Sequence, residues 1–309
     1  MSEPQLDLHA IRVPHVRVLL ATYNGVPWLD EQLESIAVQQ GVRVTVVASD
    51  DSSTDGTLEA LARWTPRVPL EVLPPYPARF GSAHRNFLRL IRDAELGDAD
   101  YFALSDQDDV WLPRKLLRGI ECLNLQGAQG YSSNVTAFWR DGSQEVIQKA
   151  HPQRSLDYLF GSPGPGCTFI LPRRFFQRVK AFVTQKFDEL QAIWVHDWLV
   201  YAFVRSNGGR WFIDPQSNMM YRQHGHNEIG ANAGLRAAIN RLKLVRSGAY
   251  RRDILAIADS VCVQNDIVDS LRRLNLIDRI GLMFHVRKFR RRFSECLILA
   301  VFFLVMPRG

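Results

Sequence analysis

Cysteine is scarce in this sequence, and CxxC pairs, long apolar runs and glycine-rich nucleotide fingerprints are absent. Each lack excludes something. The four cysteines among 309 residues (Cys122, Cys167, Cys262, Cys296) are scattered and far from any histidine cluster. They therefore form neither a disulfide framework nor a zinc-ligand set, and they read as reduced thiols of a cytosolic protein. The opening stretch, MSEPQLDLHAIRVPH, has no apolar core of export-signal length. The longest apolar run, Cys296 to Met306, spans eleven residues, too short to cross a bilayer and long enough to lie on one. No GxGxxG follows the first predicted strand, which removes a dinucleotide-binding oxidoreductase. No GxxxxGK followed by Ser or Thr occurs, which removes a P-loop kinase.

What is present is an ordinary globular composition, 46% hydrophobic, 10% aromatic and 23% charged. A chain of this length buries roughly 75% of the surface it exposes when unfolded, and one large α/β domain with an appendage fits it. The net charge of +6 is unevenly divided: residues 1–230 carry 23 Lys/Arg against 26 Asp/Glu, and residues 231–309 carry 15 against 6. Basicity confined to the last quarter argues against nucleic acid as a partner, since such a fold wears its positive surface on the body. The expected organisation is a body over 15–230 and a basic helical region over 231–309.

Along the body, short apolar strands alternate with amphipathic helices. Strands are predicted at Val16–Ala21, Val42–Ala48, Val68–Leu73 and Tyr101–Leu104, with helices over Pro27–Gln39, Thr57–Trp64 and Asn86–Asp93. Further on, Tyr131–Trp139 and Cys167–Leu171 read as strands, His196–Ser206 as a helix, Trp211–Ile213 and Asn218–Arg222 as short strands, and the chain from Leu235 as Arg-rich helices. This rhythm makes a mostly parallel, Rossmann-like sheet flanked by helices, with ligands at the C-terminal strand ends.

Two acidic clusters follow predicted strands, Asp50-Asp51 after the second and Asp106-Gln107-Asp108-Asp109 after the fourth. Crowded carboxylates repel one another unless a cation or hydrogen-bond donors compensate. Two Asp at i and i+2 on a loop can reach one Mg2+ or Mn2+, ions that prefer hard oxygen ligands. Taken singly, either cluster also reads as a polar loop with helix-capping Asp.

The stretches ATYNG (Ala21–Gly25), SDDSSTDGT (Ser49–Thr57), YFALSDQDDVWLPRKL (Tyr101–Leu116), HDW (His196–Trp198) and YRQHGHNEIG (Tyr221–Gly230) occur in that order. Together they resemble the family 2 glycosyltransferases of GT-A fold, in particular the bacterial rhamnosyltransferase-like members that build surface polysaccharides. One departure stands out: Ser52 occupies a position where the family has Gly.

The resemblance implies an inverting, metal-dependent glycosyltransferase. Thr22, Asn24, Asp50 and Asp51 match positions lining the nucleotide pocket, and Asp106 matches the one turned toward the ribose. Asp108 and His224 match positions at the metal and diphosphate, with Asp109 in support. Asp197 matches the general base that takes the acceptor's proton. Arg222, His226 and Asn227 lie beside His224 and suit a phosphate, while His196, Trp198 and Gly166 fall on the acceptor side. The donor is expected to be a dTDP- or UDP-linked sugar, the acceptor a lipid-linked saccharide.

Two rivals remain at this stage. DQDDV also fits the nucleophile motif of haloacid-dehalogenase-type phosphatases, and a non-catalytic scaffold could keep the fold. Finally, Arg287, Lys288, Arg290, Arg291 and Arg292 precede the apolar run, a combination that suits an anionic membrane surface, at the inner face of the cytoplasmic membrane, or alternatively a helix packed on the body.

Overall fold

In the computed structural model, residues 12–193, 195–224 and 247–308 are described. His226, Asn227, the expected boundary near residue 230 and the start of the Arg-rich helices lie outside them.

The apolar runs become strands buried on both faces, as a sheet covered by helices requires. The chain runs β1 (His15–Thr22), α1 (Val26–Ala37), β2 (Arg43–Asp50), α2 (Thr57–Trp64), β3 (Leu70–Val72), α3 (Ala83–Asp93), β4 (Tyr101–Ser105), β5 (Val110–Trp111) and α4 (Lys115–Gln126). There follow β6 (Gly130–Ser133), β7 (Val135–Phe138), β8 (Gln144–Ile147), β9 (Ile170–Pro172), α5 (Arg173–Gln185), α6 (Phe187–Leu190), α7 (His196–Ser206), β10 (Trp211–Asp214) and β11 (Met219–Arg222). The appendage comprises α8 (Ala249–Ser260), α9 (Asp266–Arg273), α10 (Leu276–Phe284), α11 (Val286–Phe289) and α12 (Phe293–Val305).

Seven strands form the main sheet in the order β10-β6-β9-β4-β1-β2-β3. The β1, β2, β3 and β4 strands are parallel, and only β9 runs against its neighbours. Alternation along each strand divides the core. Val16, Val18 and Leu20 of β1 join one cluster with Leu29, Leu33 and Ile36 of α1 and Leu116 and Ile120 of α4. Leu19 and Ala21 join the other, with Phe87 and Leu90 of α3 and Phe176 and Val179 of α5. Each such fully buried side chain contributes roughly 2 kcal/mol.

A second sheet, β5-β11-β7-β8, positions the site. The β5 strand starts directly after the Asp106–Asp109 loop and pairs antiparallel with β11, Met220 opposite Val110. The end of β11 is thereby delivered to that loop.

Two expected strands differ. The Tyr131–Trp139 run is split into β6 and β7, which belong to different sheets. The break falls at Asn134, whose side chain donates to Pro215 O (2.7 Å) and accepts from Lys149 N (2.6 Å), fixing a bend no strand ladder allows. The Cys167–Leu171 run opens as a 3-10 turn over Gly166–Thr168 and becomes strand only at Ile170.

The basic segment of the tail is also divided. Arg287, Lys288 and Arg292 are exposed. Arg290 instead donates to the Tyr250 hydroxyl (2.9 Å). Arg291 reaches the carbonyl of Ser162 and lies 3.7 Å from the Asp157 carboxylate. The inner faces of α10 to α12 (Leu282, Phe289, Leu299, Phe303) belong to the same core as α3, α5 and α7. The appendage is thus packed on the body, and two of its five clustered basic side chains face inward.

Candidate functional site

Parallel register brings the N-terminal motifs to one edge. Thr22, last in β1, pairs with Asp50, last in β2, and Ser105 closes β4 beside Leu20. Asp50 accepts from Thr22 Oγ1 (2.9 Å), Ser53 Oγ (2.6 Å) and Ser53 N (2.8 Å). Asn24, in the left-handed region at φ 46°, accepts from Thr54 N at 2.9 Å and donates its own N–H to Ser53 Oγ at 2.8 Å. The two loops therefore form one hydrogen-bonded rim. Asp51 is buried beside the rim. Its oxygens accept from Phe80 N (2.5 Å) and Gly81 N (2.8 Å), so it anchors the 80–81 backbone beside the rim.

A residue to which sequence reading gave no role joins this rim to the second acidic loop. Gln107 accepts from Tyr23 N and donates to Tyr23 O, both at 2.8 Å. The space it needs comes from Gly25, where an added Cβ would stand 2.3 Å from Gln107 Oε1. The only sequence signal was a glycine one residue after Asn24.

Of the acidic loop itself, Asp108 Oδ2 lies 2.8 Å from His224 Nε2, and the His224 ring stacks on Trp28 with centroids 4.1 Å apart and planes 6° from parallel. Arg222 is held within the protein: its guanidinium pairs with Glu31, donates to Asp108 O (2.8 Å) and covers the Phe138 ring. It fixes the loop. Asp109 is fully buried and accepts from Arg222 N at 3.2 Å, while its Oδ2 has no hydrogen-bond partner. Burial first, then Asp108 and Asp106, push its carboxyl well above the ordinary range.

The ligand atoms of Asp106, Asp109 and Cys167 lie within 4.8 Å of one another. Burial holds the Cys167 thiol protonated. A neutral thiol is a poor ligand for a hard ion. The crowded carboxylates, the orphaned Asp109 Oδ2 and the neighbouring imidazole fit a divalent cation of the Mg2+ or Mn2+ kind. Lys115, also without an assigned role in the sequence reading, is buried nearby with its ammonium 3.5 Å above the Trp111 ring; burial pushes it down to about 7.

On the α7 side, Asp197 is buried at the first turn of the helix. Burial pushes its carboxyl up to about 6, against hydrogen bonds from Trp198 N (2.5 Å) and Ser162. A carboxylate raised this far is a competent proton acceptor near neutrality. His196 and Trp198 are both buried and packed against the core. The His196 ring stacks on Phe87 with centroids 4.0 Å apart, and burial keeps it neutral. The Trp198 indole donates to Tyr158 O at 2.8 Å inside the core. Gly166 lies against the same ring: an added Cβ would meet His196 Nε2 at 2.3 Å.

Comparison with known proteins agrees with this geometry. Residues 17–182 match the profile of glycosyl transferase family 2. The chain is 37% identical over 278 residues to dTDP-rhamnosyl transferase RfbG of Shigella flexneri, covering 89% of this chain and 96% of that one. It is 30% identical to the succinoglycan biosynthesis protein ExoO of Rhizobium meliloti, over 72% of this chain and 63% of that protein. Among solved structures, S. aureus TarS 1-349 in complex with UDP-GlcNAc superposes with a TM-score of 0.59 at 15% identity, covering 95% of this chain and 82% of TarS. Membership sets aside the phosphatase reading of DQDDV, and this chain belongs to the family 2 glycosyltransferases, nucleotide-sugar-dependent enzymes of GT-A fold.

Proposed function

We propose that the enzyme transfers rhamnose, with inversion, from dTDP-rhamnose to a lipid-linked saccharide during surface polysaccharide synthesis, working at the inner face of the cytoplasmic membrane. The observation that carries the donor assignment is the 37% identity to a dTDP-rhamnosyl transferase across nearly the whole of both chains.

The residues divide the work. Thr22, Asn24, Asp50 and Asp106 line the nucleotide end, where a carboxylate can accept the pyrimidine N–H. Asp51 and Gln107 hold the loops that form it. Asp108 and His224 would hold Mg2+ or Mn2+, with Asp109 behind them. Such a cation supplies Lewis-acid neutralisation of the departing diphosphate. Asp197 accepts the acceptor hydroxyl's proton, and the oxygen attacks the anomeric carbon from the face opposite the nucleotide. Holding donor and acceptor in line lowers the barrier through proximity.

A panel of dTDP- and UDP-sugars tests this directly, with nucleoside diphosphate release as the readout in Mn2+ or Mg2+. Faster release from dTDP-rhamnose than from the others is expected. Preference for a different donor overturns the rhamnose assignment, and no release from any donor overturns the activity.

A further inference from the structure

A helix packed on a globular body normally turns a polar face to water. Two helices of the appendage do the opposite. On α12 the side chains turned inward are Cys296, Leu299 and Phe303, and those turned outward are Phe293, Leu297, Ile298, Val301, Leu304 and Val305. The exposed polar side chains on that helix are both in its first turn: Ser294, and Glu295, whose side chain is 41% exposed and lies 4.0 Å from Arg290. On α10, Asp278 and Leu282 point in, while Leu276, Ile277, Ile280 and Phe284 point out, Ile277 at 81% and Phe284 at 83% exposure.

These two faces are joined. The α10 and α12 helices pack against each other. Arg279 of α10 donates to the carbonyls of Phe303, Leu304 (3.1 Å) and Met306 (2.7 Å) at the end of α12. Those carbonyls have no partner further along the helix, so the arginine ties the two helices together. Ten large apolar side chains are thus exposed on two helices in contact, where monomeric soluble proteins seldom expose contiguous patches beyond a few hundred Å2.

We propose that this two-helix face docks on an anionic lipid bilayer, lying in the interface of one leaflet. Three observations select that occupant. Arg287, Lys288 and Arg292, all exposed, border the face at the start of α12, where they meet lipid phosphates while the apolar side chains enter the acyl boundary. No helix among the described residues is long and apolar enough to cross a membrane, so the pair lies on the surface. A second copy of the chain is disfavoured by charge, because the exposed Arg287, Lys288 and Arg292 bordering the face would meet their like across an isologous contact.

The docked face is tied to the acceptor side of the site. Phe289 and Phe303 pack on Phe160, with the Phe160 and Phe289 centroids 4.1 Å apart, and Arg291 holds the carbonyl of Ser162, whose side chain lies beside Asp197. If the acceptor is lipid-borne, which rests on the function proposed above, docking presents the base to it.

The test is co-sedimentation of the full-length protein with phosphatidylcholine vesicles, with and without phosphatidylglycerol, in the absence of sugar nucleotide and acceptor, so that a wrong donor or acceptor assignment does not affect it. The wild type should bind the phosphatidylglycerol vesicles and release with salt. Ile277→Glu combined with Leu297→Glu should lower partition at least about tenfold, with donor turnover and melting temperature unchanged. Phe284→Ser with Val301→Ser, which adds no charge, should weaken binding in the same direction and covers the event that the acidic pair misfolds. Failure of the wild type to bind, or equal binding by the folded variants, overturns the proposal. So does a concentration-dependent dimer that these variants dissociate.

Discussion

Gly166 and His196 share a space that holds only one of them plus a hydrogen atom: a Cβ on Gly166 would stand 2.3 Å from His196 Nε2. The neighbours of these two residues are the ones with chemistry. Cys167 follows Gly166 and lies beside Asp109, and Asp197 follows His196. Gly166→Ala must push the ring or the turn aside, and overpacking of this kind costs about 1–3 kcal/mol. A lowered melting temperature with transfer reduced at least about tenfold is expected. Unchanged transfer would show that this contact does not govern the placement of Asp197.

Asp197→Asn should separate activity from stability. The carboxyl is raised from 3.8 to about 6 by burial, so the folded state binds its proton more tightly than the unfolded state does. That stabilisation is complete below about pH 4 and is lost as pH rises to about 6. Above pH 6 the charged carboxylate therefore costs stability, by about 3 kcal/mol at most. The Asn variant should melt higher at pH 7.5, still bind donor and lose transfer. In the wild type, transfer should rise through about pH 6; a flat profile would remove Asp197 as the base.

Metal dependence is expected to follow Asp108. Chelation should abolish nucleoside diphosphate release and added Mn2+ should restore it. Asp108→Ala should raise the Mn2+ concentration needed by more than about tenfold, and His224→Ala less, since second ligands and supports typically cost 10- to 100-fold. Titrating Mn2+ against release rate checks both, and an Asp108→Ala enzyme with unaltered demand would move the metal elsewhere.

Ser52 lies at φ 62°, the region where a side chain is strained and glycine is not. Its Cα therefore has the backbone conformation that the family's Gly would favour. Ser52→Gly should raise stability by about 0.5–1 kcal/mol without altering donor binding, measured by denaturant unfolding and donor titration.

Acid should loosen the α3–α6 contact. Burial pushes His84 down to about 4 while its Nε2 bonds Leu190 O at 3.0 Å. An imidazole lowered in the fold is stabilising above its ordinary value of 6.5, and the stabilisation drains away as pH falls toward 4. Melting temperature should drop over that interval, and His84→Gln, which keeps a donor for Leu190 O, should drop less.

The alternation of Val16, Leu19, Val46 and Phe102 across two cores was legible because a strand between helix layers has to be apolar on both sides. That in turn placed Thr22, Asp50 and Asp106 at one edge. Contacts made across long chain separations were not legible. Nothing near Gln107 announces that its amide clamps Tyr23, nothing near Asn134 that β6 and β7 part company there, and nothing in RKFRRR that Arg290 and Arg291 turn inward. Each depends on a partner brought near only by the fold.

The inward arginines and Phe289 bear on how the C-terminal region can be studied. A chain ending at residue 284 would not be a body neatly freed of its anchor. It would leave Asp157 with Arg205 as its remaining cationic neighbour, uncover Phe160, and free the Ser162 loop next to Asp197. Such a shortened chain should lose turnover for reasons unrelated to lipid. Only substitutions on the outer face of α10 and α12, which leave that seam closed, can separate address from architecture.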